Sequence, residues 1–167
     1  EATSASAAVL VLLVGAAFLN RLLAMSGIPA QMSRWLKEAD VSPTLFIVLV
    51  ALMYIFLGMI LDPLAMMVLT VPILMPALDV LGIDPIWFGV FVVLMGEVAL
   101  VTPPVGLLSF VVYRLVNEPS TQNLTRFSIG EVFNGALRFL LVNAIVLVLL
   151  YIFPDLVLFV PNAMRGS

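Results

Sequence analysis

Polar and apolar positions alternate along this chain in long blocks, and charged residues are so sparse that the gaps between them outline the elements. From Ala2 to Asn20 no charged residue occurs for 19 positions, enough for a membrane-spanning helix of roughly 20 residues. We place this helix at 1–25, with Arg21 near its end reaching back to the interface. A polar stretch, Ser26 to Ser42, follows. Within it Ile28, Met32, Trp35 and Leu36 recur at helical spacing opposite Gln31, Arg34 and Lys37, and Pro29 suits a first turn. This predicts a short amphipathic helix over 28–40 lying in the interface, the plainer reading being a connecting loop.

Val41 to Leu61 is free of charge for 21 residues before Asp62 and Pro63 intervene, and 16 more uncharged residues run from Pro63 to Leu78. A turn at Asp79–Asp84 containing Gly82 leads to 12 uncharged residues, Pro85 to Gly96; after Glu97 another 16 run from Val98 to Tyr113. Sixteen helical residues rise only about 24 Å and twelve about 18 Å, against a hydrocarbon core near 30 Å. These pieces are too short to cross singly. They fit a re-entrant helical hairpin over 42–78 and a single broken helix over 85–114, and unwound backbone at that depth needs protein or water around it. The polar linker Arg114–Gly130 then precedes a final spanning helix over 131–153, and the tail from Pro154 is expected to be short and interfacial. Pro72 and Pro76 are expected to kink the second hairpin arm, and Met53, Met59, Met66, Met67 and Met75 to serve as flexible packing.

Composition sharpens this picture. Apolar residues make up 63% of the 167 positions and charged ones 10%, with a mean hydropathy of +1.24. Soluble domains carry about 25% charge, so a water-exposed globular domain is excluded and an all-α membrane protein is expected. The net charge of −3 provides no basic surface for nucleic acid. Without cysteine or histidine, disulfides, thiol chemistry, the usual zinc ligands and imidazole proton relays are all excluded. The Lys and Arg residues are spread too evenly to fix orientation. Because the chain starts at Glu1 with no basic region before its first apolar run, we read no signal peptide and expect a portion of a longer membrane protein, or a processed or trimmed chain.

The candidate chemistry lies at four dipeptides: Ser42-Pro43, Asp62-Pro63, Asp84-Pro85 and Thr102-Pro103. Ser, Asp and Thr are good N-caps and Pro fits the first helical turn, so each marks a helix start. Two of the four fall inside apolar sequence, where the N-terminal end of a half-helix attracts anions. Pro103 and Pro104 also deprive the carbonyls of Ala99 and Leu100 of their intrahelical donors. A dehydrated cation is one way to satisfy such oxygens, a simple proline kink repaired by neighbours or water being the alternative. Gly96 and Gly106 bracket the stretch and relax its backbone. Asp62 and Glu97 are the carboxylates within apolar runs, where a charge costs roughly 2.5–3.5 kcal/mol. Asp62 is either a helix cap or part of the site. Glu97 is a cation ligand, a proton carrier, a partner for Arg114 or Arg138, or a structural carboxylate.

These residues carry a family resemblance. Gly58-Met-Ile-Leu-Asp62-Pro, Leu69-Thr-Val-Pro72-Ile-Leu-Met-Pro76, Leu81-Gly-Ile-Asp-Pro-Ile-Trp-Phe-Gly89 and above all Glu97-Val-Ala-Leu-Val-Thr102-Pro-Pro-Val-Gly106 resemble the large membrane subunit of tripartite ATP-independent periplasmic (TRAP) transporters, the DctM-like permeases. Phe133-Asn-Gly-Ala-Leu-Arg-Phe139 with Phe153-Pro154 is similar to that subunit's last helix. The chain departs from the family at Gly96 and Ala99, where Asn and Gly are frequent. The resemblance implies the C-terminal portion of an elevator-type, sodium-coupled importer of small organic acids such as C4-dicarboxylates or sugar acids. It implies one of two inverted repeats, with the hairpin tip at Gly58–Asp62 and the helix break at Thr102-Pro103-Pro104, so the site positions it points to are Gly58, Asp62, Thr102, Pro103, Pro104 and Gly106. Sodium, the coupling ion, is expected at Thr102, Ala99, Leu100 and Gly58; no other cofactor is expected. The implied partners are a small membrane subunit, separate or fused, a periplasmic substrate-binding protein, the N-terminal part of the permease and the lipid bilayer, in the cytoplasmic (inner) membrane of a bacterium or archaeon.

Two further classes compete. An intramembrane carboxylate protease could use Asp62 and Glu97 sharing a proton, but such enzymes need paired Asp residues with a Gly-Asp motif, and no Gly-Asp dipeptide occurs. A structural membrane subunit without an ion site would be indicated if sodium and candidate substrates left thermal stability unchanged.

Overall fold

A computed structural model describes residues 2–102, 107–117 and 127–165. The chain is all-α: α1 (Ala2–Ser26), α2 (Ile28–Glu38), α3 (Pro43–Leu57), α4 (Pro63–Leu81), α5 (Pro85–Val101), α6 (Leu107–Val116), α7 (Ile129–Ile152) and α8 (Asp155–Arg165), with no strand among the described residues.

Local chemistry sets most boundaries. Ser42, Asp62 and Asp84 each stand in extended backbone before a proline and accept hydrogen bonds from amides of the first turn of α3, α4 and α5. That is N-capping with proline in the first turn. Ser128 and Glu131 form a reciprocal capping box, which starts α7 two residues ahead of the expected 131. Gly27 (φ 74°) and Gly82 (φ 66°) take the left-handed conformation that glycine adopts without penalty. Gly27 lets the chain bend by 57° between Leu13–Ser26 and α2, and Gly82 closes α4.

Two segments extend the sequence expectation. The second hairpin arm continues past Leu78 to Leu81 and runs as helix through both Pro72 and Pro76. The tail forms a helix, α8, which packs on α5 with Val157 and Leu158 against the core. The amphipathic stripe of α2 is also divided: Met32 and Leu36 pack on the core, while Trp35 stays 59% exposed and Ile28 48%.

The core is centred on α5. Trp87, Phe88, Phe91, Val92, Met95, Gly96, Val98, Ala99 and Val101 are all buried along it, and α3, α4, α6, α7 and α8 each lean on it. The two hairpin arms touch each other little and are held together by their shared packing on α5. In contrast α7 buries no residue and turns Leu137, Leu141, Val142, Ile145 and Val148 outward. Helices α4 and α7 are long and apolar enough to cross a membrane, and the bent α1–α2 pair supplies a third candidate span. At 15 residues α3 rises about 22 Å, less than a hydrocarbon core.

Candidate functional site

The turn between α3 and α4 is built from its own amides. Gly58 N–H bonds to the Tyr54 carbonyl at 2.9 Å, Ile60 N–H to Leu57 at 2.9 Å and Leu61 N–H to Leu57 at 2.8 Å. Asp62 then opens α4: its Oδ1 accepts from Leu64 N–H at 3.0 Å and Ala65 N–H at 3.1 Å. One carboxylate oxygen is therefore committed to the helix start. Behind the turn, Tyr54 and Thr70 join the two arms through their hydroxyls. Thr70 Oγ1 donates to the Met66 carbonyl at 2.9 Å, so its proton is used and the buried Tyr54 hydroxyl is the donor to it.

This turn docks onto the last turns of α5 by close backbone approach. Gly58 has ordinary right-handed dihedrals (φ −67°, ψ −10°), so its missing side chain answers a need for space. A Cβ there would lie 2.1 Å from the Ala99 Cβ and 3.1 Å from the Ala99 Cα. Gly96 is the counterpart on α5: its Cβ would meet Pro63 Cβ at 3.1 Å and Met67 Cε at 3.4 Å. Gly58 against Ala99, and Gly96 against Pro63 next to Asp62, are thus two points of the same docking.

Helix α5 ends at Val101. Thr102 is extended (ψ 126°) and turns back on the helix: its N–H and its hydroxyl both donate to the Val98 carbonyl, at 3.0 and 2.6 Å. The expectation that Thr102-Pro103 opens a helix falls on residues outside those described. Thr102 closes α5, because the Val98 carbonyl lies within reach of both donors, and α6 runs from Leu107. Pro103, Pro104 and Gly106 lie outside the described residues.

Ala99 and Leu100 stand four residues before Pro103 and Pro104, whose nitrogens carry no proton. Two other carbonyls with a proline four residues ahead each receive a side-chain N–H instead. Asn20 Nδ2 reaches the Val68 oxygen ahead of Pro72 at 3.1 Å, and Trp87 Nε1 the Leu150 oxygen ahead of Pro154 at 2.9 Å. Among the described residues no donor reaches Ala99 or Leu100 in this way, although Ala99 is only 2% exposed. Thr102, having spent its proton on Val98, offers oxygen lone pairs to a ligand. Carbonyl and hydroxyl oxygens of this kind suit a hard cation, and the residues fit a monovalent ion better than a transition metal: among the described residues no three Asp, Glu, His or Cys gather.

Glu97 does not join this contact. It is exposed, on the side of α5 shared by Val90 and Val93, while Gly96, Val98 and Ala99 are buried. Among the described residues it pairs with neither Arg114 nor Arg138 and is not bonded to Asp62. A cavity of about 450 Å³ opens between α6 and α7, lined by Val101, Leu108, Val112, Val132 and Phe139, with Ser109 and Glu131 as its polar side chains. Its apolar walls suit no carboxylate anion. The sequence reading gave no role to Asn20, Tyr54, Thr70 or Trp87. For Asn20 and Trp87 a signal was present, in the prolines that leave Val68 and Leu150 without donors.

Known proteins show the same arrangement of sequence. A family profile described as "Tripartite ATP-independent periplasmic transporter, DctM component" matches residues 1–156. The sialic acid TRAP transporter large permease protein SiaM of Vibrio cholerae is 30% identical over 166 residues, 99% of this chain and 37% of that protein. The sialic acid TRAP transporter permease protein SiaT of Haemophilus influenzae is 32% identical over 162 residues, covering 97% of this chain and 25% of its own length. The C4-dicarboxylate TRAP transporter large permease protein DctM of Pseudomonas aeruginosa is 30% identical over 151 residues, 90% of this chain and 33% of its own. The chain thus spans about a third of the curated relatives it matches. With its sequence matched almost end to end, the chain belongs to the DctM component family of tripartite ATP-independent periplasmic transporters.

Proposed function

We propose that this chain is part of the permease of a sodium-coupled, binding-protein-dependent secondary transporter that imports small organic acids. The observation that carries the reading is the docking of the α3–α4 turn on the end of α5, next to the carbonyls of Ala99 and Leu100, which lie four residues before prolines and take no side-chain donor among the described residues. Ala99, Leu100 and Thr102 are the residues that would hold the coupling ion, with the Gly58 backbone beside them. The relatives are named for sialic acid, C4-dicarboxylates and 2,3-diketo-L-gulonate, all of them carboxylates, which supports an organic acid as substrate. The start of α4, behind Asp62, supplies the partial positive charge that favours such an anion.

On this reading α3 and α4 form a re-entrant hairpin that moves with α5 as an elevator, in the cytoplasmic membrane of a bacterium or archaeon. The remainder of the permease completes the substrate cavity, a small membrane subunit supports it, and a periplasmic binding protein delivers the substrate. No chemistry is performed on the substrate; the chain positions ions and anions.

The test is sodium-dependent uptake by the intact permease in proteoliposomes. Thr102→Ala removes an oxygen from the ion's surroundings while α5 retains the Thr102 N–H to Val98 bond. It is expected to insert and fold normally and to require at least about tenfold more sodium for half-maximal uptake, the loss of one ligand worth about 1.4 kcal/mol or more. An unchanged sodium dependence would overturn the placement of the ion site. Thermal stability that responds to neither sodium nor organic acids would favour a purely structural subunit.

A further inference from the structure

Val68 lies in the second arm of the helical hairpin, four residues before Pro72. A proline nitrogen has no proton, so Pro72 cannot give the Val68 carbonyl the bond that carbonyls in a regular helix receive. Helix α4 nevertheless continues through Pro72 to Leu81. The missing donor comes from another helix: Asn20 Nδ2, near the end of α1, lies 3.1 Å from the Val68 oxygen. An amide has one donating and one accepting end. Facing a carbonyl, only the nitrogen can bond. The cost is visible at the other end, where the Asn20 Oδ1 is buried with no hydrogen-bond partner among the described residues. Leucine would fill comparable space between α1 and α4 with no polar atom to bury, so the N–H is what Asn20 contributes. In a low-dielectric interior a carbonyl without a donor is costly, and neighbouring side chains are one of the few remedies for a proline inside a membrane helix.

We propose that Asn20 is a positioning residue. Its side chain replaces the backbone proton that Pro72 removes, and so pins the hairpin's second arm, whose first turn carries Asp62 and Pro63, at a fixed height against α1. The positional half of this claim rests on the transport reading above; the donor half does not.

A double-mutant cycle in the full permease separates the two. Wild type, Asn20→Leu, Pro72→Ala and the double variant are compared by thermal unfolding in detergent and by the sodium concentration giving half-maximal uptake. Asn20→Leu alone is expected to lower Tm by about 3 °C or more, the effect of leaving one buried acceptor unpaired. It is also expected to raise the sodium requirement several-fold. Pro72→Ala restores an amide proton four residues after Val68. In that background Asn20→Leu should move Tm by less than about 1 °C and leave the sodium requirement where Pro72→Ala sets it. Equal Tm losses in both backgrounds would mean that Asn20 acts by packing, which overturns the donor claim. Coupled Tm values with an unmoved sodium requirement would overturn the positioning claim. If Asn20→Leu fails to accumulate in membranes, recovery of its yield by Pro72→Ala supports the proposal and absence of recovery overturns it. Wild-type uptake indifferent to sodium would instead refute the transport reading, while the Tm cycle still decides the donor claim.

Discussion

Adding a single methyl group at Gly58 tests the contact on which the candidate site depends. In Gly58→Ala the new Cβ would stand 2.1 Å from the Ala99 Cβ, and 3.1 Å from both the Ala99 Cα and the Tyr54 carbonyl oxygen. Non-bonded carbons settle about 3.5–4.0 Å apart, so the turn must retreat from α5 by roughly 1.5 Å. Nothing flexible can absorb this, because the obstacle at Ala99 is a methyl with no rotamer and the backbone behind it. Overpacking of this kind costs about 1–3 kcal/mol, and the lack of a yielding neighbour points to the upper end. The assay is thermal unfolding of the purified permease, with Ala99→Gly and the double variant alongside. Ala99→Gly alone loses about 1 kcal/mol of helix propensity, yet it opens the space that the methyl added in Gly58→Ala needs. The double variant should therefore be more stable than Gly58→Ala alone, with a coupling of about 1–3 kcal/mol. A Gly58→Ala protein that melts within a degree of wild type would refute the argument, as would strictly additive losses.

Other consequences can be measured on the same material. Asp62→Ala removes the acceptor of the Leu64 and Ala65 amides and should cost about 1 kcal/mol, whereas Asp62→Asn should retain most of the cap; equal losses in the two variants would show that capping is not what Asp62 does. Within the hydroxyl pair, Thr70→Val leaves the buried Tyr54 O–H without an acceptor, but Tyr54→Phe leaves Thr70 still bonded to Met66. The former is expected to lower stability by about 1–3 kcal/mol and the latter by about 1 or less, an order that denaturation of both variants would reveal or reverse.

Helix starts were legible in this sequence because capping is local chemistry: a Ser or Asp ahead of a proline at 42, 62 and 84 leaves the backbone little choice. Thr102 carries the same signal, and its hydroxyl is spent backward on the Val98 carbonyl. A threonine hydroxyl can bond forward to an amide or backward to a carbonyl, and the finished turn of α5 offers Val98 within reach. Helix lengths were only partly legible from the charge gaps, since α4 reaches 19 residues, long enough to cross a membrane, and α5 runs on through Glu97 to Val101. What joins the helices was not legible. Gly58 at a helix end reads equally well as a terminator, and only the approach of Ala99, far along the chain, reveals that space is its purpose. The direction of Glu97 was hidden too, since α5 is apolar on nearly every side and its sequence marks no face as inner. Asn20 and Trp87 were readable in principle, but pairing each with its carbonyl requires knowing which helices are neighbours. The tail from Pro154 was expected only to be short and interfacial, and its helix α8 packs Val157 and Leu158 against the core.

The brevity of α3 has a consequence for electrical driving force. If the hairpin is re-entrant, as proposed above, an arm of 15 residues, about 22 Å long, would end inside a hydrocarbon layer near 30 Å thick, and the turn beyond it would lie within the voltage drop. A cation arriving there from either side crosses only a fraction of the potential. It gains a share of the roughly 2.3 kcal/mol that a full charge gains per 100 mV. Occupancy of the proposed site would then vary with membrane voltage, and the remaining share would be delivered by the movement that carries the ion onward.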